Sequence, residues 1–100
     1  MMYLDWFVGT MKKRFHIELK KEEVSYESYD FFHEELDDLL IPAEHLEKLP
    51  NPLLLETLSY YDDEGYEWLA GVVVDESTLE ILYEVWIKNG EQIAYELHIK

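Results

Sequence analysis

Residues 66–99 read YEWLAGVVVDESTLEILYEVWIKNGEQIAYELHI, and how they pair decides the fold. Three segments, 66–74, 79–87 and 91–99, alternate apolar and polar residues and are separated by turn-forming Asp, Ser, Asn and Gly. That is the pattern of an antiparallel three-stranded meander. A three-residue loop Lys88-Asn89-Gly90, with Gly90 in the left-handed region, would place Val85 opposite Ile93, Tyr83 opposite Tyr95 and Ile81 opposite Leu97. It would set Glu80 against His98 and keep Glu84 away from Glu96, because like charges directly opposite destabilise a ladder. A four-residue loop 75–78 would continue the register, with Val74 facing Leu79, Val72 facing Ile81 and Trp68 facing Val85. One face of this meander is apolar and needs cover. The other carries Leu69, Val73, Leu82 and Trp86 among Glu67, Glu80, Glu84 and Glu96.

Upstream segments are expected to supply the cover. Tyr29, Phe32, Leu36 and Leu39 fall on one helical face, which predicts a helix over 26–40 that Pro42 ends. Asn51-Pro52 reads as N-cap and first position of a second helix over 52–61, with Leu54, Leu55 and Leu58 inward. Alternation of Leu4, Trp6 and Val8, and again of Phe15, Ile17 and Leu19, predicts an N-terminal hairpin over 3–19 that joins the sheet. Met11 followed by Lys12, Lys13 and Arg14 has the look of a natural start, yet the alternation before it makes residues 1–10 read as structured. The expected class is α+β, one domain over residues 1–100, with an antiparallel sheet packed on helices.

Composition excludes several functions. The chain has 8 Lys and Arg against 23 Asp and Glu, a formal net charge of −15. Binding nucleic acid or an anionic membrane by neutralising phosphates needs the opposite surplus. The charge is also unevenly placed: residues 1–21 carry a net +3 and residues 22–100 a net −18. There is no cysteine, hence no disulfide, thiolate metal site or thiol nucleophile. No apolar run approaches the roughly 20 residues that span a bilayer, and the N-terminal stretch is too short and acidic for a secretory signal. A cytoplasmic protein is the expectation.

Catalytic patterns are weak. His33-Glu34-Glu35-Leu36-Asp37 superficially resembles a zinc-protease helix, but that motif needs His where Asp37 stands, and a surface His33–Asp37 pair is the plainer reading. The four histidines (His16, His33, His45, His98) have no triad context, no Gly-rich phosphate loop is present, and carboxylate pairs are too abundant to be diagnostic. No catalytic residue, metal or cofactor is assigned, and the chain does not read as an enzyme.

Charge placement is more informative. On a helix, Glu27, Asp30, Glu34 and Asp38 form one outer stripe, and Asp37 and Asp38 stand in the last turn, where the helix dipole disfavours anions by about 0.3–1 kcal/mol each. A solvated face explains such a stripe as well as a binding site does. With Tyr60, Tyr61 and Trp86 as aromatic anchors, these acids would suit a basic protein partner. The expected function is therefore a small intracellular, bacterial-type inhibitor: an immunity protein or antitoxin that neutralises a cationic nuclease toxin. Another acidic interaction module, a nucleic-acid mimic, and a domain whose acidity serves only solubility are the alternatives.

Overall fold

Tyr3, Phe7 and Met11 recur every four residues, and this spacing rather than the two-residue alternation governs the N-terminus. The computed structural model, which describes residues 2–36 and 41–98, has helix α1 at Met2–Phe15 in place of the expected hairpin. Tyr3, Phe7 and Met11 are all buried on one side of it. Asp5 in the first turn and Lys12, Lys13 and Arg14 in the last complement the helix dipole. The helix closes with His16 in the left-handed region (φ 60°) and the Ile17 N–H bonded to the Met11 carbonyl at 3.1 Å. It is the principal helix among the described residues; α2, Ala43–Leu46, is one turn.

Both central helices of the sequence reading are strands instead. Residues expected in a helix over 26–40 form β1 (Ser25–Phe31), followed by a 3-10 turn at His33–Glu35; residues 37–40 lie outside the described residues. Residues expected in a helix over 52–61 form β2 (Leu53–Tyr61). The reason is local. Residues 26–32 hold four aromatics, which favour a pleated surface, and β2 lies inside the sheet with apolar cover on both faces. A strand covered on both faces loses its alternation, and its short apolar run then imitates a helix stripe. Asn51 does cap a backbone group, but that group is the His33 N–H at 3.0 Å.

Strands β3 (Glu67–Val74), β4 (Ile81–Lys88) and β5 (Glu91–Leu97) complete a five-stranded antiparallel sheet ordered β1-β2-β3-β4-β5. Their registers differ from expectation. Asn89 and Gly90 both take positive φ (50° and 86°), the signature of a two-residue type I′ turn, so Lys88 faces Glu91. A bulge at Ile93 then shifts the ladder, and Val85 faces Tyr95, Trp86 faces Ala94 and Glu84 faces Glu96. Between β3 and β4 the connection runs from 75 to 80, and a bulge at Leu82 puts Val72 opposite Glu84 and Ala70 opposite Trp86. Relative to the expected pairing this is a net change of three positions, Glu84 in place of Ile81 opposite Val72, and an odd change reverses which face each β4 side chain shares with β3. Val73 and Trp86, expected on one amphipathic face, are buried in different cores.

The sheet is covered on both sides. Helix α1 packs Tyr3, Phe7 and Met11 on Leu58, Trp68, Ala70, Val72 and Trp86. The connection between β1 and β2 crosses the other face, where Ile41 and Leu49 meet Leu53, Leu55, Val73, Tyr83 and Val85. In that second core the Tyr83 hydroxyl is buried with no hydrogen-bond partner among the described residues. Burial, with Tyr95 as a smaller cause, pushes this phenol up to about 12. Removing an unsatisfied buried hydroxyl relieves a desolvation cost of about 1–3 kcal/mol. Tyr83→Phe is therefore expected to match or exceed the parent melting temperature in a thermal denaturation, and a clear loss would reveal a partner for the hydroxyl.

Candidate functional site

Seven regular pairs join β1 to β2 without a bulge, and no strand covers the outer edge of β1 among the described residues. The opposite edge, β5, is interrupted by the bulge at Ile93, a common device against strand addition. The open edge is also where acid concentrates. Between Glu22 and Glu35 there are six carboxylates and no Lys or Arg. The short turns that bracket β1 are held by two of them: Glu23 accepts from the Lys20 N–H at 3.0 Å and Glu35 from the Phe32 N–H at 2.9 Å.

The residues nominated from sequence are dispersed by this geometry. Glu27 and Asp30 are exposed on β1, but an odd spacing on a strand sends them to opposite faces of the sheet rather than along one helical stripe. Glu34 is exposed in the turn that follows, and Asp37 and Asp38 lie outside the described residues. Tyr61 is 64% exposed and donates its hydroxyl to Glu67 at 3.0 Å. Tyr60 is buried; burial first, then Glu23, Asp63 and Asp62, raises its pKa. Trp86 is fully buried beneath α1 and offers no surface to a partner. The exposed aromatics beside the acidic edge are Tyr29 and Phe32.

Two carboxylates are buried on the α1 face, either side of Val72 in one row across the sheet. Glu56 accepts hydrogen bonds from the Tyr26 hydroxyl and from the Ser28 hydroxyl at 3.0 Å. Burial and the Glu56 carboxylate both raise the Tyr26 pKa, burial most. Glu84 is met by Arg14, whose Nη1 stands 3.4 Å from its Oε1. Beside it, Glu96 and His98 complete a group of one imidazole and two carboxylates on the floor of a cleft between α1 and the β4–β5 ladder. These are the residues the sequence reading missed. The Asn89-Gly90 pair was the available signal, because a two-residue turn begins the shift that brings Glu84 to Glu96.

The chain has no match among protein-family profiles, curated proteins or solved structures.

Proposed function

We propose that this chain is a small acidic inhibitor that binds a basic protein along the edge of β1, as an immunity protein or antitoxin does against a cationic nuclease-type toxin. The observation that carries the reading is the regular open edge of β1, set in a run of six carboxylates without a Lys or Arg. An open edge offers unpaired backbone N–H and C=O groups to an incoming strand. Glu27 and Asp30 project to opposite faces, so they would straddle that strand and pair with its cations on both sides. Tyr29 and Phe32 supply exposed aromatic area, which replaces the anchors first assigned to Tyr60 and Trp86. A nuclease presents Lys and Arg to its substrate, and the same cations are the target of an acidic edge.

The test begins with the gene immediately upstream, which is expected to encode an effector with a cationic domain. That purified domain should bind the chain with an association rate that falls steeply with ionic strength. Combining Glu27→Lys, Asp30→Lys and Glu34→Lys should weaken binding by at least ~100-fold, from close charge pairs whose loss costs about 2–5 kcal/mol each when buried at an interface. Thermal stability should hold or rise, since the substitutions dilute like charge. No complex, or a complex indifferent to the triple substitution, would sink the proposal. Competitive displacement of the partner by duplex DNA would assign a nucleic-acid mimic instead.

A further inference from the structure

Helix α1 and the β4–β5 ladder bound a cleft of about 710 Å³ whose lining includes Gly9, Arg14, Glu84, Glu96 and His98. Glu84 and Glu96 stand directly opposite across the ladder, and His98 follows Glu96 by two residues, which returns it to the same face. The His98 Nε2 lies 3.4 Å from Oε2 of Glu96 and 3.7 Å from Oε2 of Glu84. One ligand atom from each residue falls within 4.8 Å of the other two. Ligands held about 2.0–2.2 Å from a tetrahedral zinc-type ion stand about 3.3–3.6 Å apart, so the two distances to His98 are close to metal-ligand spacing.

A second observation points to a ligand. The Glu84 side chain is only 6% exposed, and its Oε1 is taken by Arg14 at 3.4 Å. Its Oε2 faces the His98 imidazole at 3.7 Å, with the second carboxylate in the same group. A nearly buried carboxylate set against another carboxylate is costly unless cations join them, and Arg14 engages only one of the two Glu84 oxygens. Arg14 is 44% exposed and engages the other oxygen, the way an outer group orients a ligating carboxylate. The helix above leaves room. Gly9 sits inside α1, where glycine is disfavoured, and a Cβ there would meet nothing within 4 Å. The open side of the group is therefore free for water or a further ligand.

We propose that Glu84, Glu96 and His98 bind one divalent transition-metal ion, with Arg14 as the residue that positions Glu84. An imidazole with two carboxylates suits Zn²⁺, Co²⁺, Mn²⁺, Fe²⁺ or Ni²⁺, whereas Mg²⁺ and Ca²⁺ favour all-oxygen sets. The site lies on β4 and β5, towards the opposite edge of the sheet from β1, and stands independently of the inhibitor reading.

The experiment uses the full chain, stripped with chelator and titrated calorimetrically with ZnCl₂ and CoCl₂, with MgCl₂ and CaCl₂ as comparison ions. The expected result is a single saturable site for Zn²⁺ and Co²⁺, a raised melting temperature, and a Co²⁺ visible absorption band that develops in step with the heat. His98→Ala and Glu96→Gln, both at exposed positions, should fold as the parent by circular dichroism and weaken Zn²⁺ binding at least ~10-fold. Glu91→Gln, an exposed acid on β5 that does not line the cleft, should bind as the parent does. Absence of a saturable site would overturn the proposal. So would binding that survives His98→Ala and Glu96→Gln, or equal binding of Mg²⁺ and Ca²⁺, which would report only diffuse attraction to an acidic surface.

Discussion

Trp86→Ala is expected to cost about 3–5 kcal/mol of stability, the range for emptying a fully buried tryptophan site. Trp86 is 0% exposed and is flanked across the ladder by Ala70 and Ala94, two small residues that leave the width of the sheet to its indole. The ring of Phe7 stacks on it with centroids 5.6 Å apart and an interplanar angle of 8°. Trp6 and Phe15 lean on it at 5.3 Å each, so three aromatics of α1 meet this one side chain. Truncation removes the surface on which the helix is seated. A domain of this size commonly stands about 5–15 kcal/mol above its unfolded state, so the loss approaches the whole margin. The melting temperature should fall by roughly 12–40 °C in a calorimetric or fluorescence melt. Trp86→Phe should be far milder, because the Trp86 Nε1–H is buried without an acceptor among the described residues and phenylalanine keeps most of the stack. An alanine variant that melts like the parent would return Trp86 to the surface and reopen its place as a binding anchor.

The same residue marks where the sequence was readable and where it was not. Period-two alternation located segments that overlap β3, β4 and β5, because Val72-Val73-Val74 and the aromatic-rich β4 are strongly β-forming. It could not locate the bulges at Leu82 and Ile93, since a bulge adds one residue without changing composition. Every face assignment depends on them. The N-terminus carried two competing periods, Leu4-Trp6-Val8 for a strand and Tyr3-Phe7-Met11 for a helix. The acid at Asp5 and the bases at 12–14 were the tiebreaker in favour of the helix. For the candidate sites, the acidity of residues 22–35 was legible as charge but its display was not: a helix would align Glu27 with Asp30, whereas a strand separates them. The Glu84–Glu96–His98 group was wholly hidden, because it exists only in a register that electrostatics argued against. Tertiary packing of Trp86 under α1 evidently outweighs one unfavourable glutamate pair.

Alkali is expected to unfold the protein through its buried and half-buried phenols. Tyr26, Tyr83, Tyr3 and Tyr60 all have pKa values raised above the usual tyrosine value near 10, with burial the largest cause in each. In the unfolded chain these phenols ionise near pH 10, while in the fold they retain their protons, Tyr83 to about 12. A folded pKa above the unfolded one means the native state holds more protons across that window. The stabilisation is therefore complete below pH 10 and is lost as pH rises through the folded values. Tyr26 adds a specific conflict, because it donates to the buried Glu56 carboxylate and its phenolate would stand against that carboxylate. Far-UV circular dichroism should be flat to about pH 10 and then fall cooperatively, together with a step in tyrosinate absorbance at 295 nm. Tyr26→Phe separates the two contributions. At pH 7 it should cost about 1.5–3 kcal/mol, since a hydrogen bond to a buried carboxylate is lost and Glu56 keeps only Ser28. Its deficit relative to the parent should shrink as pH climbs above 10, because unfolding the parent there releases a Tyr26 proton that the fold retains, a drive towards unfolding that the variant lacks. Tyr61→Phe, at an exposed phenol, should do neither. A Tyr26→Phe deficit that stays constant from pH 8 to pH 11 would place the alkaline sensitivity elsewhere than at the Tyr26–Glu56 pair.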